Sequence, residues 1–83
     1  LASMTPAQKI QAGQQHVQKA GFGADEKIIL WNKLYKAEKA GALASVPKLI
    51  ALYGWMEEIQ GKAIAGQTDF TPPPYTYQEV IAE

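Results

Sequence analysis

Apolar residues recur along this chain at spacings of three and four, and nowhere do they alternate with polar ones over a useful length. That periodicity belongs to helices and excludes a strand pattern. The first stretch opens at Thr5-Pro6-Ala7-Gln8, where Thr5 can cap, Pro6 suits the first helical turn, and Gln8 stands at the capping-box position. Pro6, Ile10, Gly13, Val17 and Ala20 then form a narrow seam of small residues, flanked by glutamine and lysine. A surface helix to about Ala20 is predicted. Gly21 suits its left-handed C-terminus, and Phe22 should fold back as a core anchor.

A second helix is predicted from Ala24 to before Gly41. Asp25 and Glu26 in its first turn, and Lys36 and Lys39 near its end, complement the helix dipole. Ile28, Trp31, Leu34 and Tyr35 make one continuous face, widened by Leu30 and Ala37, and this face is expected to be buried.

Ser45 is expected to cap a third helix, with Pro47 in its first turn, running to about Ala65. Val46, Leu49, Ile50, Leu52, Tyr53, Trp55, Met56, Ile59 and Ile64 cover most of its circumference, the signature of a central helix. Ala51, Gly54, Gly61 and Ala65 form a second stripe of small residues. An interior glycine costs about 1 kcal/mol against alanine. Two of them on one face suggest close approach by the small seam of the first helix.

Beyond Gly66 the character changes. Phe70 is followed by Pro72-Pro73-Pro74, which favours extended polyproline II. Thr76 with Glu79 three residues later is a capping box for a short fourth helix, anchored by Val80 and Ile81. The expected fold is therefore all-α: a small three-helix domain over residues 5–66 with a proline-rich C-terminal arm at 67–83 that packs on its own domain or on a neighbouring subunit. Leu1-Ala2-Ser3 before Met4 reads as a cloning remnant, with the natural chain starting at Met4.

Eighty-three residues suffice for one domain, and a domain this short buries a modest share of its surface. With no cysteine there can be no disulfide, so self-association is the expected supplement. The net charge is zero but unevenly spread. Residues 1–56 carry a balance of +4 and residues 57–83 a balance of −4, which favours mutual attraction of the two ends. All eight basic residues are lysine. Arginine is the preferred bidentate donor to phosphate and guanine, so its absence disfavours sequence-specific nucleic-acid binding. No segment has membrane-span length, and no basic start with an apolar run marks a signal peptide, so the expected compartment is the cytoplasm.

Candidate chemistry is sparse. Nucleophilic catalysis needs a base, and His16, the one histidine, reads as a surface residue with few titratable neighbours. A metal centre needs converging ligands; Glu57 and Glu58 diverge by about 100° on a helix and read as a solvated edge. Neither a cofactor nor catalysis is expected. The second and third helices share the outline of a helix-turn-helix, which keeps a small DNA-binding regulator as an alternative. The turns after Ser45 offer only Lys48 to base edges, however. The sharpest local motif is Pro72-Pro73-Pro74-Tyr75, the PPxY pattern of WW-domain ligands, with Tyr77 beside it as a further partner-binding candidate. The simpler reading is a stiff strap lying across Trp31 or Trp55. By elimination, the expected function is a non-catalytic protein-interaction or assembly component, of the plain kind a phage accessory protein or bacterial orphan would be.

Overall fold

A computed structural model describes residues 4–83, and it is all-helical over that range, with no strand among the described residues. The cloning-remnant reading of residues 1–3 falls outside them. The elements are α1 (Pro6–Lys19), α2 (Ala24–Lys39), a 3-10 turn (Leu43–Ser45), α3 (Pro47–Ile64) and α4 (Tyr77–Ile81). The molecule measures 49 × 20 × 19 Å, more than twice as long as it is wide.

Local chemistry sets the boundaries. Thr5 and Gln8 form a reciprocal capping box at the start of α1, with Thr5 N–H to Gln8 Oε1 at 2.9 Å and Gln8 N–H to Thr5 Oγ1 at 3.2 Å. Thr76 and Glu79 repeat it at α4. The Thr76 backbone N–H, followed by its side chain, holds the Glu79 carboxyl below the usual carboxylate range; the charge of Lys48 acts in the same direction. This cap therefore contributes fully above the ordinary carboxylate pKa and weakens as pH falls through the lowered one. Gly21 ends α1 at φ +102°, a conformation only glycine takes without strain. The chain turns back there with Gly21 N–H to Gln18 O at 3.1 Å and Phe22 N–H to Val17 O at 3.2 Å. The same pair of hydrogen bonds closes α2 and α3.

α1 and α3 run antiparallel. Lys9 lies beside Gly66, Gly13 against Ile59 and Ala63, and His16 against Trp55. Gly13 is the close-approach glycine: a Cβ there would sit 2.8 Å from Ala63 Cβ, well inside van der Waals contact. The small stripe of α3 plays no such part. Gly54 and Gly61 are exposed, with open space where a Cβ would point. The close approach is made by one glycine of α1 onto the large-residue face of α3, and that face is already filled by Leu49, Leu52, Trp55, Ile59 and Ala63.

The core comprises Val17, Phe22, Leu30, Val46, Leu49, Leu52, Trp55, Ile59 and Val80. Phe22 is fully buried, as its position after Gly21 implied. α3 contributes most, yet Ile50 and Ile64 are exposed, so it is central on one side only. Only one side of the face assigned to α2 from the sequence meets the core: Leu30, Leu34 and Ala37 belong to it, and Ile28, Trp31 and Tyr35 do not. Leu30 alone is buried, while Trp31 is 55% exposed and Ile28 61%; Tyr35 is also exposed and Leu34 half-buried. The helix is rotated so that Leu30, Leu34 and Ala37 meet the core. Aromatic bulk misleads here because Leu30, Leu34 and Ala37 already supply a sufficient i, i+4, i+7 stripe.

Candidate functional site

The proline-rich arm is built into the core of its own chain. Phe70, Tyr75 and Tyr77 pack against the core cluster, and Val80 of α4 is fully buried within it. Tyr77 meets Phe22 edge-on, with ring centroids 6.5 Å apart. The strap crosses Trp55, not Trp31. Its fixed point is Thr71, whose backbone carbonyl accepts two hydrogen bonds, from Trp55 Nε1–H at 3.0 Å and from His16 Nε2–H at 2.8 Å. The carbonyl only accepts, so the His16 Nε2 is the donor in this contact. Thr71 Oγ1–H donates to Glu58 at 2.7 Å.

His16 is thus a part-buried tether and not the surface histidine its glutamine-rich helix suggested. Its ring also lies 5.2 Å from Phe70 and 5.9 Å from Trp55. The signal for this was absent from the sequence, because its partners lie 39 and 55 positions away in the chain. Glu58, expected as part of a solvated edge, is exposed but receives the Thr71 hydroxyl.

The far end of the arm performs a second task. Ser45 does not cap α3: its hydroxyl donates to Ala42 O at 2.6 Å within the 3-10 turn, and Val46 occupies the cap position with no side-chain oxygen to offer. Two free N–H groups of the first turn are satisfied by Glu83, some 35 residues further along the chain. Lys48 N–H donates to its Oε1 at 2.9 Å and Leu49 N–H to its Oε2 at 3.3 Å. A carboxylate is favoured there by both hydrogen bonding and the helix dipole. Glu83→Ala should therefore destabilise the protein by about 1 kcal/mol, as loss of a conventional N-cap does. A urea midpoint unchanged from wild type would show that the contact contributes nothing.

Among the sequence candidates, Pro72 and Pro74 are exposed, while Pro73, Tyr75 and Tyr77 are half-buried. Tyr75 lies beneath Lys48, whose Nζ is 5.4 Å from the ring centroid. The PPxY segment presents Pro72 and Pro74 outward, while Pro73 and Tyr75 are half-buried. Tyr75, Lys48 and Glu83 together cover the N-terminal end of α3, the end a recognition helix would direct at duplex DNA.

A different surface stands open. A groove of about 360 Å³ runs between α1, α2 and α3. Ile10 and Val17 form one wall, Lys27 and Trp31 another, and Tyr53, Met56 and Ile59 the floor. Burial pushes the Tyr53 phenol above its ordinary pKa, so it stays a neutral hydrogen-bonding group at physiological pH. Beyond the groove rim, Trp31 stacks on Tyr35 at 5.2 Å with planes 11° apart, and Ile28 is exposed one turn earlier. No group of three metal-ligating side chains converges among the described residues, and no helix among them is long and apolar enough to cross a membrane.

The chain matches no protein-family model, no curated protein and no solved structure.

Proposed function

We propose that this protein is a non-catalytic interaction or assembly component whose working surface is the α1–α2–α3 groove and the outward face of α2. The carrying observation is the exposure of Ile28, Trp31 and Tyr35 beside an apolar groove, on a helix that buries only Leu30. Scattered exposed apolar residues are ordinary, but large aromatic and aliphatic side chains clustered at a groove mark protein contact surfaces. The sequence had placed these residues in the core; their outward position makes them available to a partner. His16, the one histidine, and Glu58 are occupied in holding the arm, which supports a structural role for them.

The test is sedimentation of the fluorescently labelled chain in an extract of its own cells. The wild type should sediment faster than a 9.1 kDa monomer, and Trp31→Lys should return it to monomer mass with its circular dichroism unchanged. A labelled wild type that sediments as a monomer in the extract overturns the reading.

A further inference from the structure

We infer that the occupant of the outward face of α2 is the same face of a second copy of this chain, the two α2 helices pairing antiparallel about a two-fold axis near Asn32. This deepens the interaction reading above and rests on it.

The argument is one of register. On a helix with 100° per residue, Ile28, Trp31 and Tyr35 fall within about 60° of one another and form the exposed stripe. Lys27 and Glu38 flank it on one side, and Asp25 and Lys39 on the other. All four flanking residues are exposed, and none makes an ion pair within the chain among the described residues. An isologous contact brings residue i against residue j and residue j against residue i. In an antiparallel helix pair, residues on the same flank face each other. A two-fold axis at Asn32 sets Lys27 opposite Glu38 of the second copy and Asp25 opposite its Lys39. That is four ion pairs over the whole contact, every one of opposite sign. The same axis sets Ile28 against Tyr35 of the second copy and brings the two Trp31 rings together at the centre.

One axis therefore satisfies both the apolar stripe and both charged flanks. A parallel pairing would set opposite flanks together, Lys27 near Asp25 and Glu38 near Lys39, and would align the two helix dipoles, which the antiparallel pairing opposes. Asp25 and Lys39 suit the dipole of α2 itself, but Lys27 and Glu38 do little for an isolated α2. Lys27 has Gly23 and Trp31 four residues away, and Glu38 has Leu34 on its N-terminal side and no helix beyond Ala40 on the other. Neither has a charged partner at helical spacing, so their signs are not explained by intrahelical pairing. An exposed aromatic centre with a charged, complementary rim is the usual anatomy of a specific interface.

The experiment is sedimentation equilibrium of the purified chain and of three charge variants. The wild type should reach twice the 9.1 kDa chain mass. Lys27→Glu alone and Glu38→Lys alone each set like charges together at two symmetric positions, and each should raise the dimer dissociation constant about tenfold. Mixing the two single variants should regenerate opposite-sign pairs and restore dimers, as should the double variant Lys27→Glu/Glu38→Lys, whose net charge equals that of the wild type. Restoration in both cases supports the antiparallel register, because the two positions are too far apart on one helix to compensate each other within a chain. If the singles weaken the dimer but neither mixture nor double variant restores it, the register is overturned. If the purified wild type is a monomer at every concentration yet heavy in cell extract, the second-copy inference falls while the interaction reading stands; if it is a monomer in both, both fall.

Discussion

Leu30→Ala should destabilise this protein by about 2–5 kcal/mol, while Trp31→Ala, one residue along, should change stability by less than about 1 kcal/mol. Leu30 is fully buried and is the one residue of α2 wholly inside the core. Its truncation removes the transfer free energy of the side chain and leaves a cavity in the core cluster it belongs to. For a domain of this size, each kcal/mol corresponds to about 4–8 °C in Tm, so the Leu30 variant should lose at least about 8 °C. Trp31 is more than half exposed, and its ring stacks on Tyr35 of the same helix, a local contact that the unfolded chain can keep in part. The measurement is urea denaturation of both variants at protein concentrations below any self-association. A larger loss for Trp31 than for Leu30 would mean that α2 is turned the other way, and the outward interaction face would vanish with it.

That contrast also marks where the sequence is legible. Helix boundaries follow from local chemistry, and local chemistry is written in adjacent residues. Thr5 with Gln8, Thr76 with Glu79 and the glycines after α1, α2 and α3 all stand where the structure uses them. Which face of α2 is buried is not local. Ile28, Trp31, Leu34 and Tyr35, widened by Leu30 and Ala37, read as one broad face; its Leu30, Leu34 and Ala37 side is buried, and side-chain size draws the expected centre toward the side that is not. The choice depends on the space α3 and α4 leave, which no window along α2 records. The cap of α3 is hidden for the same reason: Ser45 stands two residues before Pro47 and has the right chemistry, but the 3-10 turn aims it at Ala42, and the donor groups are met by Glu83 from 35 positions away. The strap was legible in kind, as proline-rich and aromatic, but its clamp of His16, Trp55 and Thr71 joins three distant segments. Within the candidate surface, the residues were visible as apolar and their exposure was not.

The clamp carries the second large effect. Trp55→Ala should cost about 3–5 kcal/mol, and Trp55→Phe about 1–2 kcal/mol. The indole is almost fully buried and touches both Phe22 and His16, so alanine removes bulk at the junction of α1, α3 and the arm. Phenylalanine keeps most of that bulk and removes one donor from the Thr71 carbonyl, which His16 still serves. The two variants therefore separate packing from hydrogen bonding. They also test whether the arm is part of the folding unit. Val80 and Phe22 share one core, and Glu83 completes α3, so detaching the strap at Thr71 exposes apolar surface and uncaps a helix at once. Hydrogen exchange should then show residues 71–83 losing protection together with α3 in Trp55→Ala, and not before it. Early, separate exchange of the arm with α3 still protected would make residues 67–83 an independent appendage. In that case Tyr75 would be free to leave Lys48, and the Pro72-Pro73-Pro74-Tyr75 segment could engage a WW domain without unfolding anything. With arm and α3 exchanging as one unit, such a ligand would have to break the core to bind, whereas the outward face of α2 is exposed with the fold intact.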